Sequence, residues 1–384
     1  MRRPLCSIVF VSMTCLSACG VEVVQTAPQH APIVPASPAA SPGVHLSAGE
    51  PVDPKRPDGP ITPALRAETI DRLLRLLGEK YVFPDRAAAV KKAIAARVQR
   101  GDYSKIETGN ALAKALTDHV NEVLHDAHFR VRFSLAPIPM DELTGKLPSS
   151  EEIKRYQAEA RWMNGGFEKV ERLPGNIGYL EVRSFGYLET GTEAAAAAMN
   201  FLANTDALII DLRLNGGGEP EMVAVLCSYL FAKSVHLNDL YFRPENETRQ
   251  YWTLPSVPGK RYLDRDVYVL TSKSTGSGAE EFAYNLKNLK RATLVGESTW
   301  GGANPGDVLR LSEHFSAFIP TGRAINPITK TNWEGVGVEP DIKAPQADAL
   351  RVAQIKALEK IIPSTKAPEL KQAREARLRE LNPK

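Results

Sequence analysis

The sequence is poor in several features that would point directly to a function. It has 4 cysteines in 384 residues and a formal net charge of only +3, too small to argue for binding to nucleic acid. Its one apolar stretch near the N-terminus, residues 5–16, is too short to span a membrane. The remaining composition, 24% charged and 43% hydrophobic, is that of an ordinary soluble globular protein, and the length allows two domains.

Motifs for nucleotides and metals are also missing. The glycine triplet Gly216 to Gly218 follows an apolar run, but it has neither the Lys-Ser/Thr of a P-loop nor G-x-G-x-x-G spacing. His125 and His128 could be metal ligands three residues apart, yet no HExxH motif, cysteine pair or acidic cluster accompanies them. We therefore expect no cofactor and no metal.

The N-terminus resembles a bacterial lipoprotein signal. Basic residues at positions 2 and 3 precede the short apolar stretch, and Leu16-Ser17-Ala18-Cys19 has the form of a lipobox. This predicts a signal peptide over residues 1–18 and a lipid on Cys19, which would anchor the protein to a membrane of the bacterial cell envelope, on the periplasmic or surface side. The alternative is an ordinary secretory signal that contains a cysteine. In either case Cys227 is left without a disulfide partner, and we expect it in the core.

Four further segments follow this signal. Residues 19–60 are rich in Pro, Ala and Ser and predict a tether, because they cannot bury a core. Residues 61–127 predict a small helical bundle, residues 128–345 an α/β domain, and residues 346–384 a charged tail of surface helices. Thr62-Pro63 has the form of an N-cap followed by proline and predicts the start of the first helix. The bundle prediction depends on apolar residues at helical spacing in three short segments: Ile70, Leu73 and Leu77; Val90, Ile94 and Val98; Leu112, Leu116 and Val120.

The α/β class follows from the order of patterns after residue 200. A buried strand at 207–211 leads through the glycine triplet into a helix, and a second strand at 267–270 leads through Ser277 into another helix. Such an order is typical of parallel strands joined by helical crossovers. We also expect a hairpin around residues 174–176 and a strand within 336–342 that closes the core.

Ser277 is the strongest candidate nucleophile, because the N–H groups at a helix start suit an oxyanion that forms beside a serine. The spacing between Ser277 and Glu280 is also that of a capping box, and most serines with this spacing only cap a helix. Ser298 lies in a near match to the G-x-S-x-G elbow whose fifth residue is Trp300, while Ser272 and Ser274 precede the helix start.

A serine nucleophile needs a base, an orienting acid and oxyanion donors. Of the histidines, His128 stands beside an alternating strand pattern, and Glu334 lies between an aromatic residue and a glycine. The amide of Gly278, together with that of Gly217 or Gly218, could present two N–H groups to one oxygen. Each of these residues also has a structural interpretation, as a core histidine, a surface acid or turn glycines.

Four segments together resemble the tail-specific, or carboxy-terminal processing, serine peptidase family, in the branch of interphotoreceptor retinoid-binding protein and the tricorn protease core. They are LHDAH at 124–128, DLRLNGGG at 211–218, TSKSTGSGAEEFAYNLKNLKRATLVGE at 271–297 and NWEGVGVEPDI at 332–342. The resemblance implies a crotonase/ClpP-like β-α superhelical catalytic domain after the bundle. It also implies Ser277 as nucleophile, His128 as base, Glu334 as acid, and Gly278 with Gly217 or Gly218 as the oxyanion hole.

Three departures from the family pattern bear on mechanism. Gly302 stands where the lysine-dependent members have their lysine, which favours the histidine route. Ala127 replaces the serine that precedes the base in the tricorn core. The interval between residues 133 and 167 is short for a PDZ domain, so none is expected.

The sequence thus predicts a membrane-tethered serine endopeptidase that acts on peptides or proteins through an acyl-enzyme. Two alternatives remain: a non-catalytic ligand-binding protein on the same scaffold, and an acyl-CoA enzyme of the related crotonase fold. Filled nucleophile, base and acid positions favour the peptidase.

Overall fold

A computed structural model describes residues 57–139 and 150–382. The predicted signal peptide, Cys19 and nearly all of the predicted tether lie outside these residues. No helix in the two described ranges has both the length and the apolar character needed to cross a membrane.

Nine α-helices occur in the described ranges, and local sequence explains where several begin. Thr62 accepts a hydrogen bond from the Leu65 N–H and Pro63 occupies the first turn, so α1 starts where the sequence predicts. The bounds are α1 Pro63–Lys80, α2 Pro84–Gln99, α3 Gly109–Leu124, α4 Ser150–Trp162, α5 Leu188–Leu202, α6 Pro220–Ser228, α7 Gly278–Asn288, α8 Ala349–Ile361 and α9 Pro368–Leu381.

Twelve strands in the same ranges form three sheets. Their bounds are β1 Arg130–Phe133, β2 Phe167–Leu173, β3 Ile177–Val182, β4 Ala207–Asp211, β5 His236–Phe242, β6 Glu247–Trp252, β7 Asp266–Thr271, β8 Thr293–Gly296, β9 Gly306–Arg310, β10 Phe315–Pro320, β11 Gly322–Ile325 and β12 Ile342–Lys343.

The central sheet has six strands in the order β12-β8-β7-β4-β3-β2. Strands β3, β4, β7, β8 and β12 run parallel, and β2 joins β3 as the predicted antiparallel hairpin. Every residue of β4 is buried, which is expected for a parallel strand covered on both faces. The predicted α/β class, with helices before the sheet, is confirmed. Since β4 and β7 are neighbours, the loops after them lie at the same edge of the sheet.

The three N-terminal helices do not form a core of their own. Their buried residues pack together with Leu311, Phe315, Ala317 and Ile319, around the three-stranded sheet β1-β10-β9. Arg243 also donates hydrogen bonds from its guanidinium to the carbonyls of Gly78 and Tyr81 at the end of α1. The helical part is therefore joined to the strands that follow by a common hydrophobic core.

Two expectations about the C-terminal part are wrong. The tail is helical, but α8 is not a surface helix: its alanines Ala349, Ala353 and Ala357 are buried against β4, β7 and β8, because small side chains allow a close approach to the sheet. The strand expected within 336–342 is limited to two residues, Ile342 and Lys343, and Val336 is exposed.

Candidate active site

Ser277 stands at the junction of β7 and α7, as the N-cap of the helix. Its backbone has φ +51° and ψ −120°, a region that residues with a side chain rarely adopt and that costs about 1–3 kcal/mol. The Ser277 N–H donates to Glu280 Oε2 at 2.8 Å, which is the one of the two capping-box hydrogen bonds that the Glu280 side chain accepts. N-cap residues normally adopt the β region, so capping does not account for this backbone conformation, whereas strained residues cluster at functional sites.

The glycine loop after β4 lies directly against this serine. A Cβ atom on Gly217 would be 2.7 Å from Ser277 Cβ, and one on Gly278 would be 2.9 Å from the Gly218 carbonyl oxygen. Gly217 and Gly218 have φ of +111° and +139°, which only glycine adopts without strain. The backbones of the two loops are therefore in contact, as the sequence predicts for an oxyanion hole.

The hydrogen bonds distinguish Gly217 from Gly218. The Gly217 N–H donates to Asn215 Oδ1 at 2.8 Å and is therefore already used. Within residues 57–139 and 150–382, no protein acceptor is found for the N–H of Gly218 or of Gly278. Gly218 and Gly278 are the pair with amides available for a substrate oxygen.

His128 lies between α3 and β1, in an aromatic setting. Its ring meets Trp300 edge-on, with centroids 4.8 Å apart, and stacks on Phe318 at 5.6 Å. Burial, reinforced by Arg130, lowers the pKa of His128 to about 4, so the imidazole is neutral near pH 7. Nδ1 is buried, and none of the described residues forms a hydrogen bond with it. A neutral ring is the form that can accept a proton.

Glu334 is held beside this ring by backbone donors from two distant segments. Its Oε1 accepts the Ala127 N–H at 3.0 Å and its Oε2 accepts the Ala303 N–H at 2.6 Å. Burial, and next the nearby charge of Asp126, raise the pKa of Glu334 to about 7. The structure thus brings the predicted acid to the predicted base.

Asp126 is a site residue that the sequence reasoning does not single out. One ring nitrogen of His128 and one carboxylate oxygen each of Asp126 and Glu334 lie within 4.8 Å of one another. Asp126 is buried, accepts the backbone N–H of His128, and also accepts hydrogen bonds from the Tyr81 hydroxyl at 3.0 Å and from Asn304 Nδ2 at 2.9 Å. Its position two residues before His128 in a tight turn was the available signal.

This cluster has the composition of a metal site, but its oxygens are otherwise engaged. Each of the four carboxylate oxygens of Asp126 and Glu334 accepts a hydrogen bond from the protein. The oxygens of both carboxyl groups therefore already have protein donors, unlike a set of open metal ligands.

Two of the three rival serines are engaged elsewhere. Ser272 is buried and donates to the Arg213 carbonyl, while Ser298 forms a hydrogen bond with Glu339. No hydrogen bond in the described part of the chain joins Ser277 to His128 directly. Such contacts are often long in enzymes without substrate and shorten when substrate binds.

Comparisons with known proteins place this chain among serine peptidases. Residues 176–344 match the model of peptidase family S41, and residues 64–160 match the N-terminal domain of Peptidase_S41 in eukaryotic IRBP. The tricorn protease of Thermoplasma volcanium is 28% identical over 49% of this chain and 17% of its own length. The carboxy-terminal-processing protease of Bartonella bacilliformis is 26% identical over 46% of this chain and 40% of its own length.

The chain thus spans less than half the length of these curated relatives. A solved structure from Parabacteroides merdae shares the fold, with a TM-score of 0.53, 18% identity and coverage of 79% of this chain and 97% of the other. Since the two family models match the helical part and the sheet that holds Ser277, in that order, the chain belongs to peptidase family S41.

Proposed function

We propose that this protein is a membrane-tethered serine endopeptidase with Ser277 as nucleophile, His128 as base and Glu334 as acid. The observation that carries the proposal is the contact between the glycine loop and Ser277, which leaves the amides of Gly218 and Gly278 beside one strained serine. Membership of family S41 supports the peptidase class.

The reaction follows from this arrangement. Ser277 Oγ attacks the peptide carbonyl while its proton passes to the neutral His128, and the amides of Gly218 and Gly278 bind the oxyanion. His128 then gives that proton to the leaving amine, the C–N bond breaks, and an acyl-enzyme remains. Water then attacks the ester carbonyl of the acyl-enzyme while His128 takes its proton. The bond to Ser277 Oγ breaks, His128 returns the proton to Oγ, and the acid product leaves. Ionised Glu334 stabilises the imidazolium at both stages.

Labelling of the serine tests this proposal. A fluorophosphonate probe should modify Ser277 in the wild-type protein, and Ser277→Ala should lose both labelling and peptide hydrolysis while it keeps the wild-type melting temperature. Ser298→Ala is the matched control and should behave as wild type. Modification of Ser298 in place of Ser277 would refute the assignment. A folded protein that takes up no probe and cleaves no peptide library would favour the non-catalytic ligand-binding alternative.

The membrane tether needs its own experiment. The lipobox ending in Cys19 motivates the proposal of a lipid anchor in the bacterial cell envelope. Cys19→Ser should move the protein from the membrane fraction to the soluble fraction and abolish incorporation of a labelled fatty acid. Retention of the label in that variant would contradict lipidation at Cys19.

A further inference from the structure

The carboxylate of Glu280 accepts more hydrogen bonds than a helix cap requires. Glu280 is in the first turn of α7 and is fully buried. A capping box needs only the bond from the N-cap amide. Three additional donors come from the loop that follows β8. The four distances are 2.8 Å from the Ser277 N–H, 2.5 Å from Thr299 Oγ1, 2.6 Å from the Gly301 N–H and 2.9 Å from the Gly302 N–H.

Two of these donors share a single oxygen atom. Oε2 of Glu280 accepts both the Ser277 N–H and the Gly302 N–H. The backbone of the nucleophile and the backbone of residue 302 are therefore fixed to the same point. Gly302 in turn packs against the edge of the His128 ring. A continuous series of contacts thus runs from Ser277 through Glu280 and Gly302 to His128.

We infer that Glu280 is a positioning residue that sets the distance between the nucleophile and its base. The inference rests on the proposed function, because it concerns the same Ser277 and His128. Geometry of this kind matters for rate, since a displacement of about 1 Å at a reacting group can cost about 100-fold. Without Glu280, the 299–302 loop and the start of α7 would lose their common acceptor.

The chemistry of the site requires a carboxylate. All four partners are donors, so an acceptor-only group satisfies them, whereas a glutamine would direct an NH2 group at amide N–H groups. Burial raises the pKa of Glu280 to about 7, although the four donors act to lower it. Glu281, the next residue of α7, is a matched comparison. It is similarly buried and lies beside Asn238 and Asn285, not the 299–302 loop.

The test compares Glu280→Gln with Glu281→Gln in the full-length protein. In Glu280→Gln, we expect the rate of fluorophosphonate labelling at Ser277 and kcat each to fall about 100-fold. KM should stay nearly unchanged, because positioning affects the transition state and not substrate binding. Glu281→Gln should stay within about twofold of wild type. Thr299→Val removes one donor from the same carboxylate and should give a smaller loss of kcat, about tenfold. Melting temperatures establish that each variant is folded.

The outcomes separate this inference from the proposed function. If wild type itself takes up no probe at Ser277, the proposed function fails. If wild type is labelled and folded Glu280→Gln is labelled at the same rate, only the positioning role of Glu280 fails. If Glu280→Gln does not fold, Thr299→Val decides: an unchanged kcat in that variant overturns the inference. Unfolding of both variants would make the carboxylate a stability element and overturn it equally.

Discussion

Gly302 and His128 are in such close contact that a methyl group on Gly302 would lie 2.6 Å from Cε1 of the imidazole and 2.3 Å from Trp300 Cζ3. Both rings would have to move to admit it. We therefore predict that Gly302→Ala lowers kcat/KM by about 100-fold through displacement of His128. Peptide hydrolysis and a thermal melt together check this result.

Gly78→Ala is the control for this substitution. Gly78 lies in α1, is exposed, and would place its methyl group in open space. Activity should be unchanged, and stability should rise by about 0.5–1 kcal/mol because alanine is the better helix former. Equal activity of the two alanine variants would show that His128 does not depend on the space around Gly302.

The pH dependence of activity should follow Glu334. His128 remains neutral down to about pH 4, whereas burial and Asp126 place the pKa of Glu334 at about 7. Because only ionised Glu334 stabilises the imidazolium, kcat/KM should rise with pH through a midpoint near 7. Glu334→Gln should lower kcat/KM and remove its rise with pH. Since the pKa of Glu280 is also about 7, a rise with the same midpoint in Glu334→Gln would assign this pH dependence to Glu280 instead.

Asp126 should move that midpoint. Its charge is the second cause, after burial, of the raised pKa of Glu334. Asp126→Asn removes the charge and keeps an oxygen acceptor, so the midpoint of the rate profile should move to lower pH. Tyr81→Phe removes a hydrogen bond to Asp126 but keeps the charge of Asp126. The midpoint of the rate profile should therefore not move to lower pH in this variant. A midpoint that stays in place in Asp126→Asn would show that the two carboxyl groups do not interact.

Stability should fall as pH rises above neutrality. Burial raises the pKa of Glu281 to about 8, from an ordinary value of 4.5 in the unfolded chain, so the folded state retains a proton that the unfolded state has lost. Folding stability therefore decreases from about pH 4.5 to about pH 8 and levels off above that value. The lowered pKa of His128 has the opposite effect, but only below about 6.5. Melting temperatures from about pH 6.5 to 8.5 should decline, and Glu281→Gln should reduce the slope.

Local signals in the sequence were enough to predict much of the fold. Thr62 and Pro63 marked the start of α1, and Pro174 to Asn176 marked the β2-β3 hairpin, because caps and turns depend on adjacent residues. Strands β5, β6, β9 and β11 were not predicted. They belong to the smaller sheets, and β6 and β9 contain no fully buried residue, so the alternating apolar pattern that marks a half-buried strand is missing from them.

Some features of the candidate site could also be predicted from local sequence, and others could not. Ser277 and the glycine loop follow parallel neighbouring strands, so their proximity could be argued from strand order. The only sequence signal for Asp126 was its position two residues before His128, and its hydrogen bonds to Tyr81 and Asn304, which are far away in the chain, could not be inferred. The choice of Gly218 over Gly217 likewise needed the bond from the Gly217 N–H to Asn215, which no spacing rule reveals.

The site is assembled from residues that are synthesised far apart in time. Its proposed base is residue 128, its proposed nucleophile is residue 277, and its proposed acid, Glu334, is almost at the end of the α/β part. Glu334 then reaches back to the Ala127 amide. With these proposed roles, a chain still under synthesis carries the nucleophile and the base before it carries the acid. The complete arrangement can form only after residue 334 has been made.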